Sequence, residues 1–173
     1  NSYAMFGEWC YDLTKDLKFT GGLRWTDDQT HFIEVPSELL TRGYGYPSTG
    51  NLDQEWKEWT GRAVINWSPK LDFTDQSMIY LSYAHGYKAG GANPPSAVLT
   101  VYAGGGISNP THPRTFAPEF NDAFELGTKN TAADGAVTLN GDVFFYNYKG
   151  YQISYIVDRS AVNLNFDATV KGA

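Results

Sequence analysis

Apolar and polar residues alternate along this chain with a period of two, the spacing at which successive side chains of an extended strand point to opposite faces. Seven segments show it. The first sets Met5, Gly7, Trp9 and Tyr11 against Glu8, Cys10 and Asp12, and the second sets Phe19, Gly21, Leu23 and Trp25 against Thr20, Arg24, Thr26 and Asp28, continuing toward Phe32. In the third, Trp59, Gly61, Ala63, Ile65 and Trp67 oppose Thr60, Arg62, Asn66 and Ser68; in the fourth, Ile79, Leu81 and Tyr83 oppose Tyr80, Ser82 and Ala84. The fifth alternates Phe124, Leu126 and Thr128 with Glu125, Gly127 and Lys129. The sixth turns Val137, Leu139, Gly141, Val143 and Phe145 away from Thr138, Asn140, Asp142, Tyr146 and Tyr148. The seventh turns Leu164, Phe166, Ala168 and Val170 away from Asn163, Asn165, Asp167, Thr169 and Lys171, so charges gather on one face.

The connections alternate as well. Leu13 to Asp16, Pro69 to Gln76 and Thr131 to Gly135 read as short turns. Val35 to Gln54 and Ala89 to Ala117, rich in Gly and Pro, read as long loops, with a shorter connection near Asp158, Arg159 and Ser160. Short turns at one end and long loops at the other are the habit of outer-membrane barrels.

A soluble sandwich also alternates, so periodicity leaves open which face meets water. Three features favour lipid. Gly7, Gly21, Gly61, Ala63 and Gly141 interrupt the apolar stripes, and in a close-packed core each unfilled gap costs on the order of 1 kcal/mol, whereas fluid lipid fills it. Trp9, Tyr11, Trp25, Trp59 and Trp67 stand toward stripe ends, where an interfacial girdle places rings that are apolar in body and polar at the tip. Several stripes reach the ~9–11 residues that a tilted strand needs to cross a bilayer. The expected fold is all-β: an antiparallel up-and-down transmembrane β-barrel segment of about seven strands.

Composition narrows the function. A net charge of -6, with 13 Lys and Arg against 19 Asp and Glu and no basic stripe, disfavours nucleic acid. Aromatic residues make up 16% of the chain, which suits an amphipathic β interface. Cys10 is the lone cysteine, so no intramolecular disulfide forms. His31, His85 and His112 lack metal-site spacing, Gly104 to Gly106 lack the Lys-Ser or Lys-Thr of a phosphate loop, and Ser82 and Ser154 lack a nucleophile elbow. No catalytic set, cofactor site or metal site is expected. The chain starts at Asn1 and stops at Ala173, which reads as an excerpt of a longer protein.

Several stretches resemble one family. Tyr80-Leu81-Ser82-Tyr83-Ala84-His85-Gly86-Tyr87-Lys88-Ala89-Gly90-Gly91 is similar to a strand of TonB-dependent receptors, as are Gly21 to Trp25, Pro118 to Lys129 and Asp142 to Gln152. The most specific element is Pro118-Glu119 followed by Glu125, Gly127 and Lys129. The resemblance implies a partial barrel domain over residues 1–173, drawn from a barrel of about 22 strands whose lumen is plugged. It implies a Gram-negative outer membrane, uptake of a scarce nutrient such as a ferric siderophore, and outer-membrane lipid, a plug domain and the TonB complex as partners. The plug and the C-terminal strands are expected to lie outside residues 1–173, and about seven strands neither close a barrel nor transport alone.

Arg24, Arg62, Glu125 and Lys129 fall on the polar, lumen-facing side, where they contact a plug or pair with one another along the wall. Tyr44, Tyr46, Tyr102, His112 and Arg114 lie in the long loops and are candidate ligand contacts, because rings stack on a siderophore or sugar and Arg pairs with an anion. The competing reading is a soluble β-sandwich carbohydrate-binding module. A barrel enzyme is the third, and it lacks a catalytic set.

Overall fold

A computed structural model describes residues 1–33, 51–94, 99–101, 105–107, 113–157 and 160–173. In chain order the strands are β1 (Ser2–Asp12), β2 (Leu17–Phe32), β3 (Leu52–Trp67), β4 (Gln76–Lys88), β5 (Gly91–Ala92), β6 (Leu99–Val101), β7 (Gly105–Ile107), β8 (Thr115–Phe116), β9 (Glu119–Ala132), β10 (Val137–Val157) and β11 (Ser160–Gly172). Seven of them form one sheet in the order β1-β2-β3-β4-β9-β10-β11, with every pairing antiparallel. The pairs β5–β8 and β6–β7 belong to the connection between β4 and β9, which the sequence marks only as a loop. The seven alternating segments are the seven sheet strands, some of them longer than expected. β3 already begins at Leu52, inside the expected loop, and β10 runs for 21 residues.

The short turns form one rim. Ser68 N–H donates to Asp16 O (2.7 Å), Asp75 N–H to Thr131 O (2.8 Å) and Gly135 N–H to the Asp75 carboxylate (3.0 Å), so adjacent turns are bonded to each other. The tightest turn holds Ala133, Asp134 and Gly135 at φ of 58°, 55° and 83°, a left-handed stretch that glycine and aspartate tolerate better than alanine.

Residues opposite each other in a ladder share a face, so the register defines rows across the sheet. One face carries Tyr11, Phe19, Ile65, Leu81, Leu126 and Val143 in a single row, with Trp9, Gly21, Ala63, Tyr83, Phe124 and Phe145 in the next. The other carries Asp12, Lys18, Asn66, Tyr80, Gly127 and Asp142. No second layer covers the apolar rows among the described residues. Val162 is the one buried apolar side chain there, while Trp9 is 52% exposed, Trp59 55% and Leu126 49%. Fully burying such a side chain is worth ~1.5–3 kcal/mol, so about ten left half-exposed to water forfeit on the order of 10 kcal/mol, as much as the net stability of a typical domain. A face of this kind suits an apolar solvent. A soluble sandwich would seal it against another sheet, and among the described residues no such sheet covers it.

The apolar face ends at a definite height. Above the cross-strand pair Trp25↔Trp59 the same side of β2 and β3 carries Asp27↔Lys57, Gln29↔Glu55 and His31↔Asp53; above Tyr83↔Phe124 it carries His85↔Asp122. Trp59 and Trp67 stand eight residue steps apart on β3, close to the ~9–11 residues with which a tilted strand crosses the hydrocarbon layer.

β11 departs from expectation. Its Ala168 and Val170 stand opposite Tyr148 and Tyr146, on the polar side, while Lys171 stands opposite Phe145 with Nζ 5.4 Å from that ring. A period of two fixes which residues share a face but not which face it is; register decides that. The β10–β11 ladder also slips by one residue between Tyr148 and Tyr151, where Gly150 has a φ of 65°. The bulge brings the rings of Tyr148 and Tyr151, three positions apart, into edge contact at 5.1 Å.

Candidate functional site

The polar face holds the residues whose spacing marked them. Glu125, Gly127 and Lys129 are read by a single aromatic ring. Tyr80 stands opposite Gly127 and lies across it, so close that a Cβ at Gly127 would fall 2.4 Å from the ring. From there the Tyr80 hydroxyl donates to Glu125 Oε1 at 2.5 Å, and Lys129 Nζ stands 5.7 Å from the ring centroid. The bare glycine makes room, the carboxylate takes the hydroxyl, and the ammonium sits against the electron-rich ring. Lys129 makes no ion pair among the described residues, so the wall contact here runs through Tyr80 rather than directly from Glu125 to Lys129.

Arg62 uses a second glycine. The row Glu8↔Gly22↔Arg62 crosses three strands, and with no side chain at Gly22 the guanidinium reaches over β2 to the Glu8 carboxylate. Arg62 Cγ lies 3.4 Å from the position of a Cβ at Gly22. Arg24 donates from Nε to Thr26 Oγ1 at 3.0 Å, and lines with Arg62, Glu8, Thr60, Asp28 and Tyr87 an open groove of about 660 Å³ on this face. Among the described residues no group of three or more His, Cys, Asp or Glu is placed to hold a metal.

At the end away from the short turns, side-chain amides meet main chain. Asn93, 3% exposed, donates from Nδ2 to Pro113 O and Asn163 O (2.9 Å each) and accepts from Asn163 N–H (2.7 Å). Asn165 accepts from Ala117 N–H (2.7 Å) and donates to Ala117 O (2.9 Å); Gln152 donates to Ala89 O (2.9 Å) and Ala117 O (3.1 Å). Arg114 lies within this junction, its carbonyl accepting from Asn93 N–H at 2.8 Å. Tyr44, Tyr46, Tyr102 and His112 lie outside the described residues.

The family model described as "TonB dependent receptor-like, beta-barrel" matches residues 1–173. The chain belongs to this family. No curated protein and no solved structure matches it. As part of a TonB-dependent receptor barrel, the exposed apolar rows face outer-membrane lipid and the polar rows face the lumen. The family consists of transporters rather than enzymes. Of the four wall residues expected from sequence, the receptor barrel brings Glu125 and Lys129 together around Tyr80 and sets Arg24 and Arg62 in one groove. Missed were Tyr80, Glu8 and Gly22, whose roles depend on register, and Asn93, Gln152 and Asn165, whose partners are backbone atoms distant in sequence.

Proposed function

We propose that the chain is wall and rim of a receptor that imports a ferric siderophore across the outer membrane of a Gram-negative bacterium, with a plug domain in the lumen and the TonB complex supplying energy. In this reading residues 1–173 are a partial barrel domain, and further strands complete the ring. The observation that carries the transport reading is the two-sided sheet: one side exposed and apolar, the other lined by Arg24, Arg62, Glu125 and Lys129. Arg24 and Lys129 keep cationic nitrogens without an ion pair among the described residues, which leaves them for carboxylates of a plug.

Siderophore rather than neutral sugar is favoured by the loops. Tyr44, Tyr46 and Tyr102 suit either ligand, but Arg114 adds a cationic group, with the His112 imidazole close to it in sequence, and many ferric chelates are anions. The test uses the full-length receptor in detergent, titrated with a ferric catecholate, a ferric hydroxamate and a neutral oligosaccharide while tryptophan emission is followed. Saturable binding of an iron chelate that weakens at least tenfold in Arg114→Ala supports the reading. Binding of the oligosaccharide alone removes iron from it.

A further inference from the structure

The one-residue slip between Tyr148 and Tyr151 decides which side the upper half of β10 presents. With strict alternation Tyr151, Ile153 and Tyr155 would follow Phe145 and Asn147 onto the outer side. The extra residue turns them back. Tyr151 stands opposite Phe166 and Ile153 opposite Leu164, in line with the pairs Tyr146↔Val170 and Tyr148↔Ala168 on the lumen side. Phe144, Tyr146, Tyr148, Tyr151 and Tyr155 thus form one aromatic row along β10, and from Phe144 to Tyr155 no charged residue shares that side of β10 and β11 with them.

The two sides of this hairpin serve different ends. On the outer side the carboxamides of Gln152 and Asn165, paired across the ladder, hold Ala89 and Ala117 at the root of the β4–β9 connection. On the lumen side Tyr151, Tyr155 and Phe166 remain 38%, 39% and 48% exposed, and the hydroxyls of Tyr148, Tyr151 and Tyr155 bond no group among the described residues. Tyr148 stands level with Asn121 and Gly86, above the Tyr83↔Phe124 pair at which the outer apolar face ends. Tyr151 and Tyr155 lie higher still, at the end away from the short turns, where a ligand enters.

Shape and charge say what such a row recognises. Tyr148 and Tyr151 meet at 67° with centroids 5.1 Å apart, whereas Phe144 and Tyr146 lie at 30° and 4.9 Å. A planar aryl ring suits both arrangements, because it stacks offset on one ring and offers its positive edge to the next; a hydroxamate or a pyranose has no aromatic edge to offer. The uncharged row suits the flat carbon face of such a ring, and the free phenol hydroxyls suit the oxygens at its rim. We infer that Tyr148, Tyr151 and Tyr155 are specificity-determining contacts for an aryl-bearing ferric chelate, a catecholate by class, and that the bulge at Gly150 keeps them turned to the lumen. This rests on the receptor reading above and narrows its ligand from iron chelates in general to those that carry aromatic rings.

The test titrates the full-length receptor with a ferric catecholate and with a ferric hydroxamate that has no aromatic ring, comparing wild type with Tyr151→Leu, Tyr151→Phe and a deletion of Gly150. The wild type binds the catecholate at least tenfold tighter. Tyr151→Leu weakens the catecholate about tenfold, the upper end of what one aromatic pair contributes, and leaves the hydroxamate within about twofold; Tyr151→Phe keeps the ring and most of the affinity. Deleting Gly150 turns Tyr151 and Tyr155 to the outer side and lowers catecholate affinity at least as much as Tyr151→Leu. Its heat-modifiable gel shift reports whether that barrel folds, and if it does not, the two Tyr151 variants decide alone. A wild type that takes the hydroxamate as tightly as the catecholate overturns the aryl specificity and leaves the siderophore reading standing. Equal weakening of both chelates in Tyr151→Leu, or none in either, overturns it as well. A receptor that binds neither chelate sinks the siderophore reading, and this inference with it.

Discussion

Replacing Gly127 by alanine puts a methyl group 2.4 Å from the Tyr80 ring, well inside van der Waals contact, so the ring has to leave its place. Two interactions go with it. The hydroxyl's bond to the Glu125 carboxylate is worth ~1.5–3 kcal/mol. The Lys129 ammonium at 5.7 Å adds ~0.5–1 kcal/mol at a partly exposed site. Against these stands the ~0.5–1 kcal/mol that alanine gains over glycine in a strand interior. The net expectation is a loss of about 1–3 kcal/mol, read as a lower urea midpoint for reversible folding of the full-length barrel into lipid vesicles. The decisive comparison is the same substitution made in a Tyr80→Ala background. With the ring gone the methyl has room, and Gly127→Ala turns neutral or stabilising by ~0.5–1 kcal/mol. Should Gly127→Ala cost the same in both backgrounds, the ring is not what the glycine accommodates, and the account of Glu125, Gly127 and Lys129 fails.

Other expectations test other parts of the wall. Leu126→Arg, in the middle of the apolar face, destabilises the inserted barrel by ~2–4 kcal/mol, whereas Asp122→Asn, on the polar band above it, shifts the same urea midpoint far less. Arg62→Gln costs only ~0–1 kcal/mol because both partners are about half exposed, and the difference from wild type shrinks at high salt in denaturation experiments. Gly150→Ala meets both a left-handed backbone and the Pro118 carbonyl, 2.7 Å from the new methyl. It costs at least the ~1–2 kcal/mol of that conformation and raises hydrogen exchange in residues 116–119; unchanged exchange there would separate the bulge from the loop root.

The seven-strand plan was legible because a sheet with unlike sides repeats every two residues, and Met5 to Tyr11 or Trp59 to Trp67 show that repeat without interruption. Turn positions were legible from Asp134-Gly135 and Pro69. What escaped was relational. Whether Val170 faces lipid depends on which residue of β10 stands opposite, and that depends on one extra residue near Gly150. Tyr80 sits on the expected side, yet its tie to Glu125, 45 positions later, follows from the β4–β9 register alone. Asn93 and Asn163 are 70 positions apart, and a carboxamide that bonds main chain leaves no mark in the pattern of side chains.

In the seven-stranded sheet each strand bonds only strands adjacent to it along the chain once the β5–β8 excursion is set aside, and β4 and β9 pair fully from Gln76↔Thr131 to Lys88↔Glu119 without help from that excursion. Lengthening the excursion adds little strain, since doubling a flexible loop costs only ~0.6 kcal/mol in closure entropy. Insertions between Asn93 and Arg114 thus leave the β4–β9 ladder beneath them unchanged.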